Sequence, residues 1–404
     1  MKKEYFANGL SGLRPVLAVV IFCVVVRARA GDAPLPLWLI LIWGFVALTD
    51  WLDGVVARSE RFGRTANGGT IDEICDKAAV NLVILALCCY SRISWYFFAI
   101  MLARDIFATI VRMRARKFGI TVANEAKMPG KWKTGLQFLL VLVALCPAAW
   151  LGGADAMVIF FLSALAMGMS LVSGMQILLL TMNARDPSWL DGTGGKIGVP
   201  NWWSLGRMAL AAVIPYIIAT SPFGEVSYTA AVIVLAVAIA TDAVDGHLAR
   251  ELKQFTKAGK ALDPLSDKII FYPVAIALFI ATGGTFLVPG VETTAVRLVM
   301  WLSIILTVVR DLSFIVWFAL EYKKLPGGIA SSLWDKARMV TMCVWLSAMV
   351  LAICTQGLMI GDALAWIAFI SLIVTGMTLS IASGAVAIVR VQQLKATLGK
   401  GVSE

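Results

Sequence analysis

DWLDGVVAR at residues 50–58 returns as DAVDGHLAR at 242–250, and each is followed by a second acidic run, GGTIDEICDK (68–77) and GKALDPLSDK (259–268). Both copies read Asp-x-x-Asp-Gly-x-x-Ala-Arg and then Gly-x-x-x-Asp-x-x-x-Asp. At about 100° per residue, Asp50, Asp53, Gly54, Ala57 and Arg58 fall within an arc of about 140°, one face of a helix. Asp72 and Asp76 are four residues apart and share a face of a second helix. Two such helices facing each other would present four carboxylates to a common point, and the chain carries this arrangement twice.

The repeat extends outward from the motif. NGLSGLRPVL (8–17) aligns with NWWSLGRMAL (201–210), placing Arg14 opposite Arg207, and ARDIF (103–107) matches VRDLS (309–313). The offsets are 193, 192, 191 and 206 in chain order, a drift that loop changes explain. The expected organisation is a tandem duplication: a first unit over 1–185, a cytoplasmic linker over 186–200 and a second unit over 201–404.

Composition fixes the environment. Of 404 residues, 60% are apolar and 15% charged, with a mean hydropathy of +0.84. A soluble domain has about 45–50% and about 25%. This predicts an all-α polytopic membrane protein. Spans are expected at 12–31, 37–58, 73–91, 93–115, 134–151 and 156–181, then at 205–220, 229–250, 265–282, 296–320, 337–355 and 362–389. That makes two tandem six-helix units with about 12 transmembrane helices, and an even number per unit makes the repeat parallel.

Basic residues cluster at Lys2–Lys3, Arg58–Lys77, Arg112–Lys133, Arg250–Lys268, Lys323–Arg338 and Lys395–Lys400, which puts both termini and the acidic motifs on the cytoplasmic side of a bacterial-type inner or plasma membrane. Arg27 and Arg29 run against that assignment. No cleavable signal peptide is read at the start. The net charge of +10 is explained by cytoplasmic loops facing anionic lipid, so no nucleic-acid partner is expected. Seven cysteines without a CxxC spacing and a single histidine, His247, argue against a disulfide framework or a zinc site.

From Leu37 to Asp50 a helix rises only about 20 Å, less than the roughly 30 Å of hydrocarbon, so Asp50 sits below the interface. An ionised Asp near a helix centre costs about 2.5–3.5 kcal/mol. Four together also repel, so a cation must offset them, and carboxylate oxygens suit hard divalent ions. Gly54 and Ala57 leave room on the same face, and Arg58 offers a bidentate phosphate contact. The competing reading pairs these acids with Lys or Arg or leaves them in water at loop ends; two copies of the whole constellation speak against it.

The motif resembles the CDP-alcohol phosphotransferase signature, Asp-x2-Asp-Gly-x2-Ala-Arg-x8-Gly-x3-Asp-x3-Asp, over both halves of the chain. The second copy matches throughout; the first has nine residues between Arg58 and Gly68, and Glu73 where the second has Pro264. The resemblance implies a phospholipid-synthesising transferase that moves a phosphatidyl group from CDP-diacylglycerol to an alcohol and releases CMP. It implies two Mg2+ or Mn2+ ions per active unit, held by Asp50, Asp53, Asp72 and Asp76 and by Asp242, Asp245, Asp263 and Asp267. Asp76 and Asp267 would be the general bases. Gly54, Ala57, Arg58 and Gly68, with Gly246, Ala249, Arg250 and Gly259, would line the CDP pocket.

For the acceptor, Arg104 and Arg310 lie inside spans, where Arg usually lines a cavity or pairs with an acid. The adjacent Asp105 and Asp311 are not expected to face them, since neighbours on a helix diverge. GKWKTGLQ (130–137) resembles the Gly-Lys-x-Lys-Thr stretch of phosphatidylglycerophosphate synthases. Arg104, Arg112, Lys131 and Lys133, with Arg310, Lys336 and Arg338 in the second copy, are therefore acceptor-site candidates, with glycerol 3-phosphate the leading acceptor. Inositol phosphate, serine, choline or another alcohol is the alternative. Asn8, Ser11 and Arg14, and Asn201, Ser204 and Arg207, resemble the family's amphipathic entrance, with an interfacial anchor the competing reading. Members of the family are commonly dimers, so the two halves are expected to form an internal pseudo-dimer. A parallel-repeat transporter and a silent scaffold are the readings from other classes.

Overall fold

Helix is the local structure of nearly all the described residues. The computed structural model describes residues 4–56, 68–120, 128–191, 193, 195–220, 288–321, 333–355 and 359–385, with scattered positions from 231 to 277 and residue 389; no strand occurs among them. Among the described residues, the continuous helices are α1 (Glu4–Ala30), α2 (Trp38–Val56), α3 (Gly68–Cys89), α4 (Trp95–Lys117), α5 (Met128–Leu145), α6 (Asp155–Arg185) and α7 (Val199–Thr220). They are followed by α8 (Thr293–Glu321), α9 (Leu333–Cys354) and α10 (Met359–Ile373), which runs on through a π-helical turn at Val374–Leu379. The expected spans 229–250 and 265–282 lie mostly outside the described residues.

Helices α1, α3, α5 and α7 begin before the apolar run that announces them, because their polar opening turns carry candidate site residues. The fifth is shifted furthest, starting at Met128 and ending at Leu145 where hydropathy suggested 134–151. Pro147 has no N–H to give and pushes Cys146 out of helical geometry, so the chain closes into a 3-10 turn at Ala148–Leu151 instead. Gly152 and Gly153, at φ of +59° and +85°, then turn the chain into α6.

The chain divides into two compact units, Met1–Gly224 with Val234–Ile270, and Glu225–Ile233 with Phe271–Glu404. In the first, α3 lies along α1, α4, α5 and α7 pack on α6, and α2 touches α1 and α5. Trp43, sealed from solvent, stacks on Phe138 at 4.9 Å and donates its indole N–H to the Phe138 carbonyl at 3.0 Å. Tyr216 of α7 stacks on Phe160 of α6 at 5.1 Å.

The polar stretch before α7 is docked rather than free. Leu190 is buried with Leu179, Leu205, Met208, Ala258 and Leu262, and Asp186 accepts from the Ser188 amide and hydroxyl, bonds that hold its carboxyl below the usual range. In the second unit α8, α9 and α10 pack together with the π-turn. There Gly376 meets Ser303 so closely that a Cβ would overlap it.

Among the described residues, Asp155–Arg185, Val199–Thr220 and Met359–Ala385 are long and apolar enough to cross a membrane.

Candidate active site

Arg14 of α1, 1% exposed, joins the two acid-bearing helices. Its Nη1 forms an ion pair with Asp76 of α3, and its Nη2 donates to the Thr49 carbonyl of α2 at 3.1 Å. The end of α2 that carries Asp50 and Asp53 and the start of α3 that carries Asp72 and Asp76 therefore meet across one guanidinium. Gly54 lies in the last turn of α2, and Gly68 opens α3.

The side chains of Asp50, Asp53 and Asp72 are outside the described residues, as are Ala57, Arg58, Asp242, Asp245, Gly246, Ala249, Arg250, Asp263, Asp267 and the side chain of Lys336. No group of three metal-ligating side chains occurs among the described residues. The chemistry of the donor set fits a divalent cation: oxygens that only accept, on two helices held together, with the Asp76 side chain 35% exposed.

The second copy repeats the anchor. Arg207, also 1% exposed, donates from Nη2 to Ser266 Oγ at 2.7 Å, and Ser266 directly precedes Asp267. Asn201 and Ser204 are buried too, so in this copy the Asn-x-x-Ser-x-x-Arg segment packs inward instead of lying at an interface. Asn201 Nδ2 donates to Thr256 Oγ1 at 3.1 Å, and that oxygen accepts from the Gly259 amide at 3.0 Å. A Cβ on Gly259 would stand 3.0 Å from Asn201 Oδ1, so the glycine permits this approach. A cavity of about 470 Å3 is lined by Trp202, Trp203, Arg207, Leu210, Val237 and Thr241, the last of which precedes Asp242 in the sequence. His247 is exposed beside Glu251.

A buried polar node lies deeper. Asp105 Oδ1 accepts from Arg104 Nη1 at 2.9 Å and Lys133 Nζ at 2.5 Å, and its Oδ2 from Asn81 Nδ2 at 3.0 Å. The expectation that Arg104 and Asp105 diverge is overturned: the long Arg stem lets its guanidinium fold back beside its neighbour. Arg104 also donates to the Ser170 carbonyl at 3.0 Å and to Ser173 Oγ at 2.6 Å. Gly174 lies against the Arg104 stem, and Gly130 brings the first turn of α5 onto Ser173.

The second unit rebuilds this node with other side chains. Asp311 accepts from Arg310 Nη1 at 2.7 Å, Arg338 Nη2 at 3.0 Å and the Tyr272 hydroxyl at 2.5 Å. Arg338 takes the place of Lys133 and Tyr272 that of Asn81, while Gly384 faces the Arg310 stem as Gly174 faces Arg104.

A third cluster joins the start of α3 to the end of α4. Glu73 Oε1 accepts from Lys77 Nζ at 2.7 Å and Arg112 Nη1 at 2.6 Å, and Oε2 accepts from Arg116 Nη2 at 3.3 Å. Lys77 Nζ also reaches Thr109 Oγ1 at 2.8 Å. Of the acceptor-site candidates, Arg104, Lys133, Arg310 and Arg338 thus belong to the Asp nodes, Arg112 to Glu73, and Lys131 is exposed.

Sequence reasoning did not find Asn81, Tyr272, Glu73 as a cation partner, or Arg14 and Arg207 as anchors of the motif. One signal was available: SLVSG (170–174) and SIASG (380–384) repeat the serines and glycine that surround Arg104 and Arg310.

Comparison with known proteins agrees with this picture. The chain is 36% identical over 76 residues to a CDP-diacylglycerol--glycerol-3-phosphate 3-phosphatidyltransferase of Aquifex aeolicus, covering 19% of this chain and 40% of that protein. The proteins of the same name from Pseudomonas fluorescens and Pectobacterium atrosepticum are 35% identical over 102 residues and 31% over 113, covering 25% and 27% of this chain. The matches span 47% and 61% of those two proteins, so the chain covers about half the length of the curated relatives it matches. No solved structure matches it. The family model for CDP-alcohol phosphatidyltransferase matches twice, over residues 4–175 and 197–377, and the chain belongs to that family.

Proposed function

We propose that the chain transfers a phosphatidyl group from CDP-diacylglycerol to glycerol 3-phosphate and releases CMP. The observation that carries this reading is Arg14, which bonds both Asp76 and the Thr49 carbonyl and so gathers the acid-bearing ends of α2 and α3. The names of the matched relatives favour glycerol 3-phosphate as acceptor.

In the transfer, a hydroxyl oxygen of the acceptor attacks the phosphorus that bears the diacylglycerol. The bond from that phosphorus to the CMP oxygen breaks, and CMP departs with the electron pair. Asp76, or Asp267 in the second copy, takes the hydroxyl proton. Mg2+ or Mn2+ ions, held by Asp50, Asp53, Asp72 and Asp76 and by their second-copy counterparts, would supply charge neutralisation at the phosphates. Arg58 and Arg250, with the small residues of each motif, would hold the cytidine diphosphate. Arg112, Lys131 and Lys133 would attract the acceptor phosphate, Lys133 from within the Asp105 node. The apolar cavity at Trp202 and Trp203 suits the lipid end of the donor.

The same reading takes the chain as two six-span copies, 1–185 and 201–404, standing in for a homodimer with motifs and termini on the cytoplasmic side. Purified protein given CDP-diacylglycerol, Mg2+ or Mn2+ and a panel of alcohols should release CMP and yield a phosphorylated phosphatidylglycerol. Release of no CMP with any acceptor overturns the proposal.

A further inference from the structure

Glu73 stands one residue after Asp72, at the position the second copy fills with Pro264. Its carboxylate gathers three cations, Lys77, Arg112 and Arg116, from two helices. Its side chain is 15% exposed and that of Arg112 19%, so the cluster is neither a solvated surface pair nor a sealed core pair. An exposed pair adds little, but here the geometry is tight on both Oε1 contacts. Arg112 Nη1 is spent on the carboxylate, while its Nε is buried with no partner among the described residues. A carboxylate flanked by two guanidinium groups and an ammonium occupies the arrangement that a phosphomonoester seeks.

The second copy sharpens the point. At the offset of 206 set by Arg104 and Arg310, Arg112 falls opposite Phe318, so that copy has neither the acid nor the arginine. The acid and its guanidinium partner are present together in one copy and replaced together in the other. Glu73 is thus matched to Arg112 and does not belong to the metal-binding acids, all of which recur.

We infer that Glu73 is a built-in competitor for the acceptor phosphate in the first copy, a specificity-determining residue that lowers this copy's preference for a phosphomonoester acceptor over the corresponding uncharged alcohol. The inference rests on the reading of Arg112 as part of the acceptor site. A phosphorylated acceptor must displace the carboxylate from Arg112 before it can bind there, whereas a neutral polyol need not.

The test uses the full chain in detergent with Asp267→Asn, which confines turnover to the first copy. Glu73→Gln keeps the side chain's size and removes its charge; Glu73→Asp keeps the charge. Two readouts are taken: the ratio of kcat/KM for glycerol 3-phosphate to that for glycerol, and binding of glycerol 3-phosphate by calorimetry. Glu73→Gln should raise the ratio about tenfold and tighten binding similarly, while Glu73→Asp stays near the parent. A ratio and an affinity that stay constant or fall in Glu73→Gln overturn the inference. Tighter binding without CMP release in any variant supports it while sinking the proposed reaction, and CMP release with unaltered binding sinks the inference alone.

Discussion

Lys133 Nζ lies 2.5 Å from Asp105 Oδ1, an ion pair between α5 and α4 with both side chains 5–6% exposed. Arg104 contributes a second positive charge to the same oxygen. Removing one partner of a buried pair leaves uncompensated charge and costs about 3–5 kcal/mol. Lys133→Met leaves Asp105 paired with Arg104, so the thermal midpoint of the detergent-solubilised protein should fall, by less than that full cost. Lys133→Arg should cost much less, because the second unit already uses Arg338 at this place. An unchanged midpoint in Lys133→Met would show that the pair is not closed in solution.

Arg14 makes a sharper case, since it bonds two helices at once. Arg14→Ala strips both the Asp76 pair and the bond to the Thr49 carbonyl, and CMP release from the first copy should be lost. Arg14→Lys retains one positive charge but not the two-armed reach, so it should fold while losing most of its rate. Measured in the Asp267→Asn background, full activity in Arg14→Lys would argue that α2 and α3 meet without this guanidinium.

The two motifs predict a divided activity. Asp267→Asn and Asp76→Asn should each leave residual CMP release, and the double variant should leave none. Chelation of divalent ions should abolish release in all of them, with recovery on adding Mg2+ or Mn2+. Residual turnover in the double variant would remove the general-base assignment.

Two glycines facing side chains of the second unit separate overlap from mere proximity. A Cβ at Gly376 would overlap Ser303, so Gly376→Ala should destabilise by about 1–3 kcal/mol. At Gly384 the nearest atom to a Cβ is Arg310 Cγ at 3.9 Å, an ordinary contact, and Gly384→Ala should be nearly silent. Comparing the two midpoints checks the approach of α8 to the π-turn.

The acidic motif was readable as helix faces because α2 and α3 are regular where Asp50, Asp53, Asp72 and Asp76 occur, and periodicity needs nothing more. Membrane character was readable from composition. The end of α5 was misjudged because hydropathy does not register that Pro147 withholds an N–H. The Arg104–Asp105 contact was dismissed on backbone direction alone, which ignores how far a flexible four-bond stem can swing. Arg14 could be aligned with Arg207 in the sequence, but its partners lie 35 and 62 residues away, and only the packing of α1 along α3 brings them into reach. Glu73 was legible as a departure from the repeat; beside Lys77 of its own helix, its two arginines are supplied by α4, one helix further on.

The Asp105 and Asp311 nodes share a wiring plan but not their parts: Lys and Asn in one, Arg and Tyr in the other. Each carries one anion and two cations, so transplanting a complete set from one half to the other is electrically neutral. Moving a single member pits an amide-sized space against a phenol, or an ammonium reach against a guanidinium. Engineers exchanging these nodes between the halves should therefore graft the residues as cassettes.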